Sequence, residues 1–342
     1  MTTAMVQLAH GEGLVAQERP VAPLGEADVR VDIEVCGLNH LDLWLKRGDT
    51  GDRLSLPRVP GSDILGTVSA VGERVEHVEV GDRVLVYPGR SCGDCGQCRA
   101  GRESACRSFE VLGYGFDGGY ASSITVNKDD AFRVPASSGT QWGAVPVSYV
   151  TAWNAMVVKA GLTAGETVAV WGAAGGLGNA ALRIATAIGA EAIAVVSSTA
   201  KEAWLRENGW GGAVVVRDGT TARQVRRATG GRGVDVVLDH VGAATWMESI
   251  RMLATRGRLA FCGVTTGYEA VTDLRHVFGK QLSIHGTWLG DRRDLAAVVD
   301  LLSRHPEALP VVERTFPLAE ANRAQDLVAD GSHAGKVVLT VR

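Results

Sequence analysis

Four thiols stand close together in this chain: Cys92, Cys95, Cys98 and Cys106, spaced C-x2-C-x2-C-x7-C on a loop that also carries Gly93, Gly96 and Gly101. Four thiolates in one short lobe can close a tetrahedral shell around zinc with no position left open, which is the chemistry of a structural ion and not of a catalytic one. The first three spacings also fit an iron–sulfur run. The fourth cysteine, however, is set off by seven residues and lacks the proline such runs carry after it. One structural Zn2+ is therefore the expectation. Cys36 and Cys262 sit in apolar stretches and read as core thiols.

A second chemistry lies in Val168-Ala-Val-Trp-Gly172-Ala-Ala-Gly175-Gly176-Leu177-Gly178. Here an apolar run meets a glycine turn and the start of a helix. Glycines let the backbone approach a pyrophosphate, and the free N–H groups of the helix start face the anion. A glycine triplet alone says little; this one follows a β-run, opens a helix and is followed by a second apolar strand at the required distance. At the end of that second strand an acid would bind the 2′-hydroxyl of NAD. The chain instead reads Ser197-Ser198-Thr199-Ala200-Lys201, and Arg217 follows the third strand. Hydroxyls and cations suit a 2′-phosphate, so NADPH is expected over NADH, the lesser alternative being that Lys201 is only a solvated helix residue. His240 and Gly242 after the fourth strand, and Gly263 and Val264 after the fifth, lie at strand C-termini, where open α/β sheets bind ligands.

The elements that must position these residues follow two patterns. In the first third, short β-segments (29–35, 66–71, 83–87 and 120–126) are separated by glycine, proline and aspartate, as in an irregular barrel. From about residue 151 apolar strands at 167–171, 192–196, 213–216, 234–239, 258–262 and 283–286 alternate with helices at 153–160, 177–188 and 200–208, the pattern of a buried parallel sheet. A helix at 294–302, a strand near 311–314, a helix at 318–330 and a strand at 336–341 close the chain. A length of 342 residues suits two domains. The 43 glycines belong to turns, since no low-complexity tract holds them. A net charge of −3 gives no basic footprint for nucleic acid or anionic membrane. Residues 1–13 have no secretory signature, and the most apolar stretch, 168–187, is broken by glycines and Arg183, so a cytoplasmic protein without a membrane span is expected.

With these pieces go Cys36-Gly-Leu-Asn39-His40-Leu-Asp42-Leu-Trp44, Pro60-Gly-Ser-Asp63-Ile-Leu-Gly66-Thr-Val68, Gly81-Asp-Arg-Val84, Val150-Thr151-Ala-Trp153, Asp239-His-Val-Gly242 and Gly335-Lys336-Val337. Over nearly its whole length the chain resembles the medium-chain dehydrogenase/reductase superfamily, most of all its quinone oxidoreductase branch. The resemblance implies an α/β protein: a GroES-like irregular β-barrel catalytic domain at 1–150 with a structural-zinc lobe at about 90–108, and a Rossmann doubly wound parallel-sheet cofactor domain at 151–286. Residues 287–342 would return to the catalytic domain, and the cofactor would lie in the cleft between the two. In the zinc alcohol dehydrogenases of this superfamily a cysteine would stand at Asn39, a histidine at Ser62 and a further cysteine or acid near Val147. Those ligands are missing here, which leaves Asp63 as a lone carboxylate and His40 without partners.

What the resemblance implies for function is an NADPH-dependent reductase acting on a quinone or α,β-unsaturated carbonyl without catalytic zinc. Asn39 would offer an amide donor, Thr151 would bind the nicotinamide, and His40, Asp42, Trp44 and Tyr114 would line the pocket. Trp44 could equally be core, and Asp42 a brace for its own turn. The same cleft could serve a carbonyl or imine reductase, a zinc-type alcohol dehydrogenase, or a non-catalytic NADPH-binding protein. Residues 281–287 resemble the superfamily's subunit-contact strand, so a homodimer or homotetramer is expected.

Overall fold

The computed structural model describes residues 1–51 and 54–341. The chain opens with an antiparallel ribbon, Thr2–Val6 (β1) against Val15–Arg19 (β2), which periodicity did not announce. Asp28–Gly37 (β3) alternates as a half-buried strand must: Val29, Val31, Ile33 and Val35 are buried, while Asp28, Arg30, Asp32 and Glu34 stay partly exposed. Asn39 then stands at the N-cap of His40–Arg47 (α1), which is closed by Gly48 at a φ of 66°. Next come Asp63–Val71 (β4), Arg83–Val86 (β5), Gly89–Arg90 (β6), Gly96–Arg99 (α2), Glu110–Val111 (β7), Ser123–Asn127 (β8) and Ala131–Arg133 (β9).

The next helix, Pro146–Trp153 (α3), starts earlier than the expected helix at 153–160, with Pro146 in the first turn where its missing N–H costs nothing. It runs on as a π-helix over Asn154–Lys159, a widening of the hydrogen-bond register that side-chain periodicity does not reveal. Thr167–Val170 (β10), Gly176–Ala187 (α4), Glu191–Val196 (β11), Thr199–Glu207 (α5), Ala213–Val216 (β12), Thr221–Ala228 (α6), Val234–Asp239 (β13), Trp246–Met252 (α7), Leu253–Phe261 (β14), Leu274–Gly279 (α8) and Ser283–Gly286 (β15) follow. The six strands pair in parallel in the order β12-β11-β10-β13-β14-β15. This is a doubly wound sheet whose order reverses beside β10. Val168, Ala169 and Val170 are fully buried, as strands covered on both faces must be.

The chain ends with Arg292–Arg304 (α9), Val312–Pro317 (β16), a 3-10 turn at Leu318–Glu320 that continues as Ala321–Asp330 (α10), and Lys336–Thr340 (β17). β16 and β17 extend the first sheet, whose order is β16-β17-β3-β4-β5-β9, with β8 pairing β3. The fold is thus mixed α/β, with two compact units. Met1–Val147, Asp291–Arg304 and Leu309–Arg342 form one; Ser148–Gly290 and His305–Ala308 form the other. The first centres on Val31, Ile33, Ile64, Val84 and Leu339, the second on Ala169, Trp171, Ile193, Val237 and Leu259. Among the described residues no helix is long and apolar enough to cross a membrane.

Candidate active site and zinc centre

The antiparallel pair β6–β7 forms the stem of the cysteine lobe. Cys95 caps α2, Cys98 lies within it, and Cys106 ends the 3-10 turn at Glu103–Ala105. The Sγ atoms of Cys95 and Cys98 are 3.5 Å apart, those of Cys92 and Cys106 3.5 Å, and those of Cys92 and Cys98 3.8 Å. All four lie within 4.8 Å of one another. A zinc tetrahedron with bonds of about 2.3 Å has edges of about 3.8 Å, close to these three separations, so the four thiols are gathered as a closed shell around the ion requires. The backbone N–H of Cys98 already favours thiolate at Cys95, whose pKa is lowered to about 6. Among the described residues this is the one group of three or more such side chains able to share an ion. The lobe is tied down at its far end, where Ser104 N donates to Asp291 Oδ1 at 2.9 Å.

At the end of β10 the glycine turn is a backbone cradle. A Cβ on Gly172, whose φ is 57°, would lie 2.7 Å from His240 Nε2, and one on Gly178 only 2.3 Å from the Gly172 carbonyl oxygen. Gly175 caps α4 without a side-chain partner, so the N–H groups of Gly176, Leu177 and Gly178 in the first turn have no acceptor within the helix. That is the geometry a pyrophosphate needs. Next door, Ser198 caps α5 by accepting from Lys201 N at 3.3 Å, and Arg217 N donates to Val196 O at 2.9 Å. Ser197, Ser198, Lys201 and Arg217 thus stand together at the ends of β11 and β12. Asp218, which follows Arg217, is turned to the N–H and hydroxyl of Thr220.

Beyond β13, Asp239 is an anchor that the spacing of glycines did not disclose. Its carboxylate accepts from Val241 N at 2.8 Å, Gly242 N at 3.1 Å, Thr245 Oγ1 at 2.8 Å and Ser249 Oγ at 2.6 Å. An acid at a strand end with hydroxyls four residues apart on the next helix was the available signal. The loop it braces carries His240 and Gly242 beside Gly263, where a Cβ would meet His240 O at 2.6 Å, while Val264 stays exposed. A surface cavity lined by Thr167, Glu191, Ala213 and Arg232 lies at the opposite ends of the strands, and Arg232 there is committed to Asp235. Thr151 is buried in α3 of the same unit.

In the other unit, Asn39, Ser62, Asp63 and Val147 do converge, and a residue from the C-terminus joins them. Asp63 is fully buried. Its Oδ2 accepts from Asn39 Nδ2 at 2.9 Å and from Lys336 Nζ at 2.8 Å, and its Oδ1 from Val147 N at 2.6 Å. Lys336 Nζ also donates to Asn39 Oδ1 at 2.9 Å and Leu38 O at 2.7 Å. Ser62 Oγ is spent on Leu112 O at 2.6 Å. This donor set does not fit a catalytic zinc: it offers no thiolate, no imidazole and an already occupied carboxylate, with an ammonium beside it.

The remaining candidates separate into two groups. His40 is exposed, and its pKa is lowered by partial dehydration and then by the charges of Lys336 and Arg47. Asp42 is buried and braces its own turn, accepting from Asn39 N at 2.8 Å, Gly61 N at 3.1 Å and Tyr120 Oη at 3.2 Å. Burial raises its pKa to about 6 against those hydrogen bonds. Trp44 and Tyr114 pack in a small satellite cluster with Leu45 and Val111, and Tyr114 Oη lies 2.8 Å from Thr50 Oγ1.

Residues 25–136 match the family described as "Alcohol dehydrogenase GroES-like domain", and residues 176–304 match "Zinc-binding dehydrogenase". An NAD-dependent alcohol dehydrogenase of Sulfolobus acidocaldarius is 32% identical over 99% of both chains. The crystal structure of an NAD-dependent alcohol dehydrogenase, 35% identical, superposes with a TM-score of 0.93 over 99% of this chain and 100% of that one. A crotonyl-CoA carboxylase/reductase, AntE, solved in complex with NADP, is 25% identical with a TM-score of 0.88 over 99% of this chain and 95% of its own. With the cysteine lobe, the glycine cradle and this end-to-end likeness, the chain belongs to the zinc-binding dehydrogenases of the medium-chain dehydrogenase/reductase superfamily and is an oxidoreductase.

Proposed function

We propose that this chain is an NADPH-dependent reductase that acts on a quinone or an α,β-unsaturated carbonyl without a catalytic zinc. The observation that carries this reading is the Asn39–Asp63–Lys336 trio at the place where relatives with a catalytic metal would bind it. A buried ammonium held to the one available carboxylate repels a divalent cation instead of inviting it. When bound, the nicotinamide supplies a hydride. The chain then needs a donor for the oxygen on which charge develops, and the Asn39 amide is that donor. Conjugation in an enone or quinone spreads the charge, so hydrogen bonds can replace a Lewis acid.

Gly172, Gly175, Gly176, Leu177 and Gly178 would hold the pyrophosphate, and His240, Gly242, Gly263 and Val264 the neighbouring part of the cofactor. Thr151 would hydrogen-bond the nicotinamide carboxamide. Ser197, Ser198, Lys201 and Arg217 would take the 2′-phosphate. His40, kept neutral at pH 7 by its lowered pKa, lines the substrate side, with Trp44 and Tyr114 as a packed wall behind α1. Asp42 stays a brace and transfers no proton to the substrate. Cys92, Cys95, Cys98 and Cys106 would hold one zinc that rigidifies the lobe and does no chemistry.

The alcohol dehydrogenases to which the chain is similar favour a second reading, a zinc-dependent alcohol dehydrogenase using NAD. Counting zinc per chain and following nicotinamide absorbance with a naphthoquinone, an enone, an aldehyde and a primary alcohol separates the two. One zinc with quinone or enone reduction is expected. Two zincs with alcohol oxidation would establish the second reading in its place. For the cofactor, the double substitution Lys201→Ala/Arg217→Ala is expected to cut the preference for NADPH over NADH by about ten-fold or more, the value of a charged hydrogen bond. An unchanged ratio would remove the 2′-phosphate assignment.

A further inference from the structure

We propose that Lys336 and Asp63, as a pair, are positioning residues for the reaction, acting through the side-chain amide of Asn39. This rests on the reductase reading above and says how its key donor is set. The two ends of an asparagine amide are nearly the same shape, and only their partners decide which way it points. Here the partners permit one orientation. Lys336 Nζ can only donate, and it meets Asn39 Oδ1 at 2.9 Å. The Asp63 carboxylate can only accept, and it meets Asn39 Nδ2 at 2.9 Å. Turning the amide over would face an NH2 with an ammonium and a carbonyl with a carboxylate.

The lock is itself held rigid. Lys336 Nζ donates to Leu38 O, Asn39 Oδ1 and Asp63 Oδ2, which fix its head group from three sides. Asp63 is pinned from its other oxygen by Val147 N. Both side chains are buried, at 4% and 0% exposure. Such a pair is a poor stabiliser compared with apolar residues of the same volume, so its use lies in direction. The acceptor end of Asn39 is consumed, and one Nδ2 hydrogen goes to Asp63. What half-buried Asn39 can still offer is the second Nδ2 hydrogen. The site is thereby set to meet an acceptor oxygen, such as the carbonyl oxygen of an enone as it becomes an enolate.

Lys336→Met alone strands a buried carboxylate and can simply unfold the chain. The informative variant is Lys336→Met/Asp63→Leu, which replaces the pair by apolar side chains. Two measurements test it, with one bound zinc per chain and an NADPH affinity within about two-fold of wild type as the check that both units are intact. The first needs no turnover: with 15N-asparagine labelling, the Asn39 amide protons are expected to exchange with water about ten-fold faster in the double variant. The second uses whichever acceptor the wild type reduces. The double variant is expected to lose about 100-fold in kcat. Asn39→Ala should cost about the same in wild type and almost nothing further in the double variant. Unchanged amide exchange, or an equal cost of Asn39→Ala in both backgrounds, overturns the positioning role. If the wild type reduces no quinone or enone, the reductase reading fails while the exchange measurement still decides the lock.

Discussion

At Gly178 one methyl group is enough to crowd the glycine turn proposed to hold the dinucleotide. A Cβ there would sit 2.3 Å from the Gly172 carbonyl oxygen, a backbone atom that cannot step aside. Gly178→Val is expected to weaken NADPH binding by about 100-fold or more through displacement of the α4 start. Titration of the cofactor by fluorescence measures this, and unaltered affinity would show that the pyrophosphate binds elsewhere. Asp42 carries a pH signature of a different kind. Its folded pKa is raised from 3.8 to about 6 by burial. A carboxyl with a raised folded pKa stabilises fully below pH 3.8, and that contribution is lost as pH rises through about 6. The loss amounts to roughly 3 kcal/mol. Asp42→Asn, which cannot ionise, should therefore compare better with wild type at pH 7 than at pH 4. Melting temperatures of both proteins at the two pH values measure it; a difference that does not move with pH contradicts the assignment.

Among the elements, the cysteine lobe depends most on something outside the chain. Its stem is the two-residue pair β6–β7, and its helix α2 has only four residues with none buried. Little apolar surface is present to order it, so a bound ion is expected to supply the organisation. Removing the zinc with a mercurial and chelator is expected to lower the melting temperature by roughly 5 °C or more. NADPH affinity should hold within about two-fold, because the glycine cradle belongs to the other unit. An unaltered melting temperature would mean that the lobe folds without metal. The short α1 shows a gap of another kind. His40-Leu-Asp-Leu-Trp-Leu-Lys-Arg47 alternates like a strand, yet Asn39 and Gly48 bound it as a helix. Its eight residues are too few for helical periodicity to outvote alternation.

For the molecule as a whole, β15 is one of the two edges of the six-stranded parallel sheet, β12 being the other. Ile284 on β15 is exposed, as are Leu274 and Phe278 on α8 and, at 86% each, Tyr268 and Val271. An apolar strand edge left in water invites pairing, and a second copy of the chain offers the matching edge. A homodimer is expected, and Ile284→Lys should shift it towards monomer in light scattering at micromolar concentration. A wild type that stays monomeric there would refute the role given to this edge.

The sequence by itself determined what is local. Cys92 to Cys106 span fifteen positions, and their spacing alone describes a closed four-thiolate site. Gly172 to Gly178 lie between one strand and one helix, so apolar periodicity on either side was enough to place them, and the parallel sheet followed from the same alternation. Only the tertiary structure decided how Asn39 is held. Its partner Lys336 lies 297 residues away in the chain and comes back on β17, which pairs β3 antiparallel. A lysine at the head of an apolar strand reads as a solvated end. It becomes a buried ammonium only because the returning strand sets its Nζ against Asp63, 273 residues distant, and no local pattern encodes so long a closure.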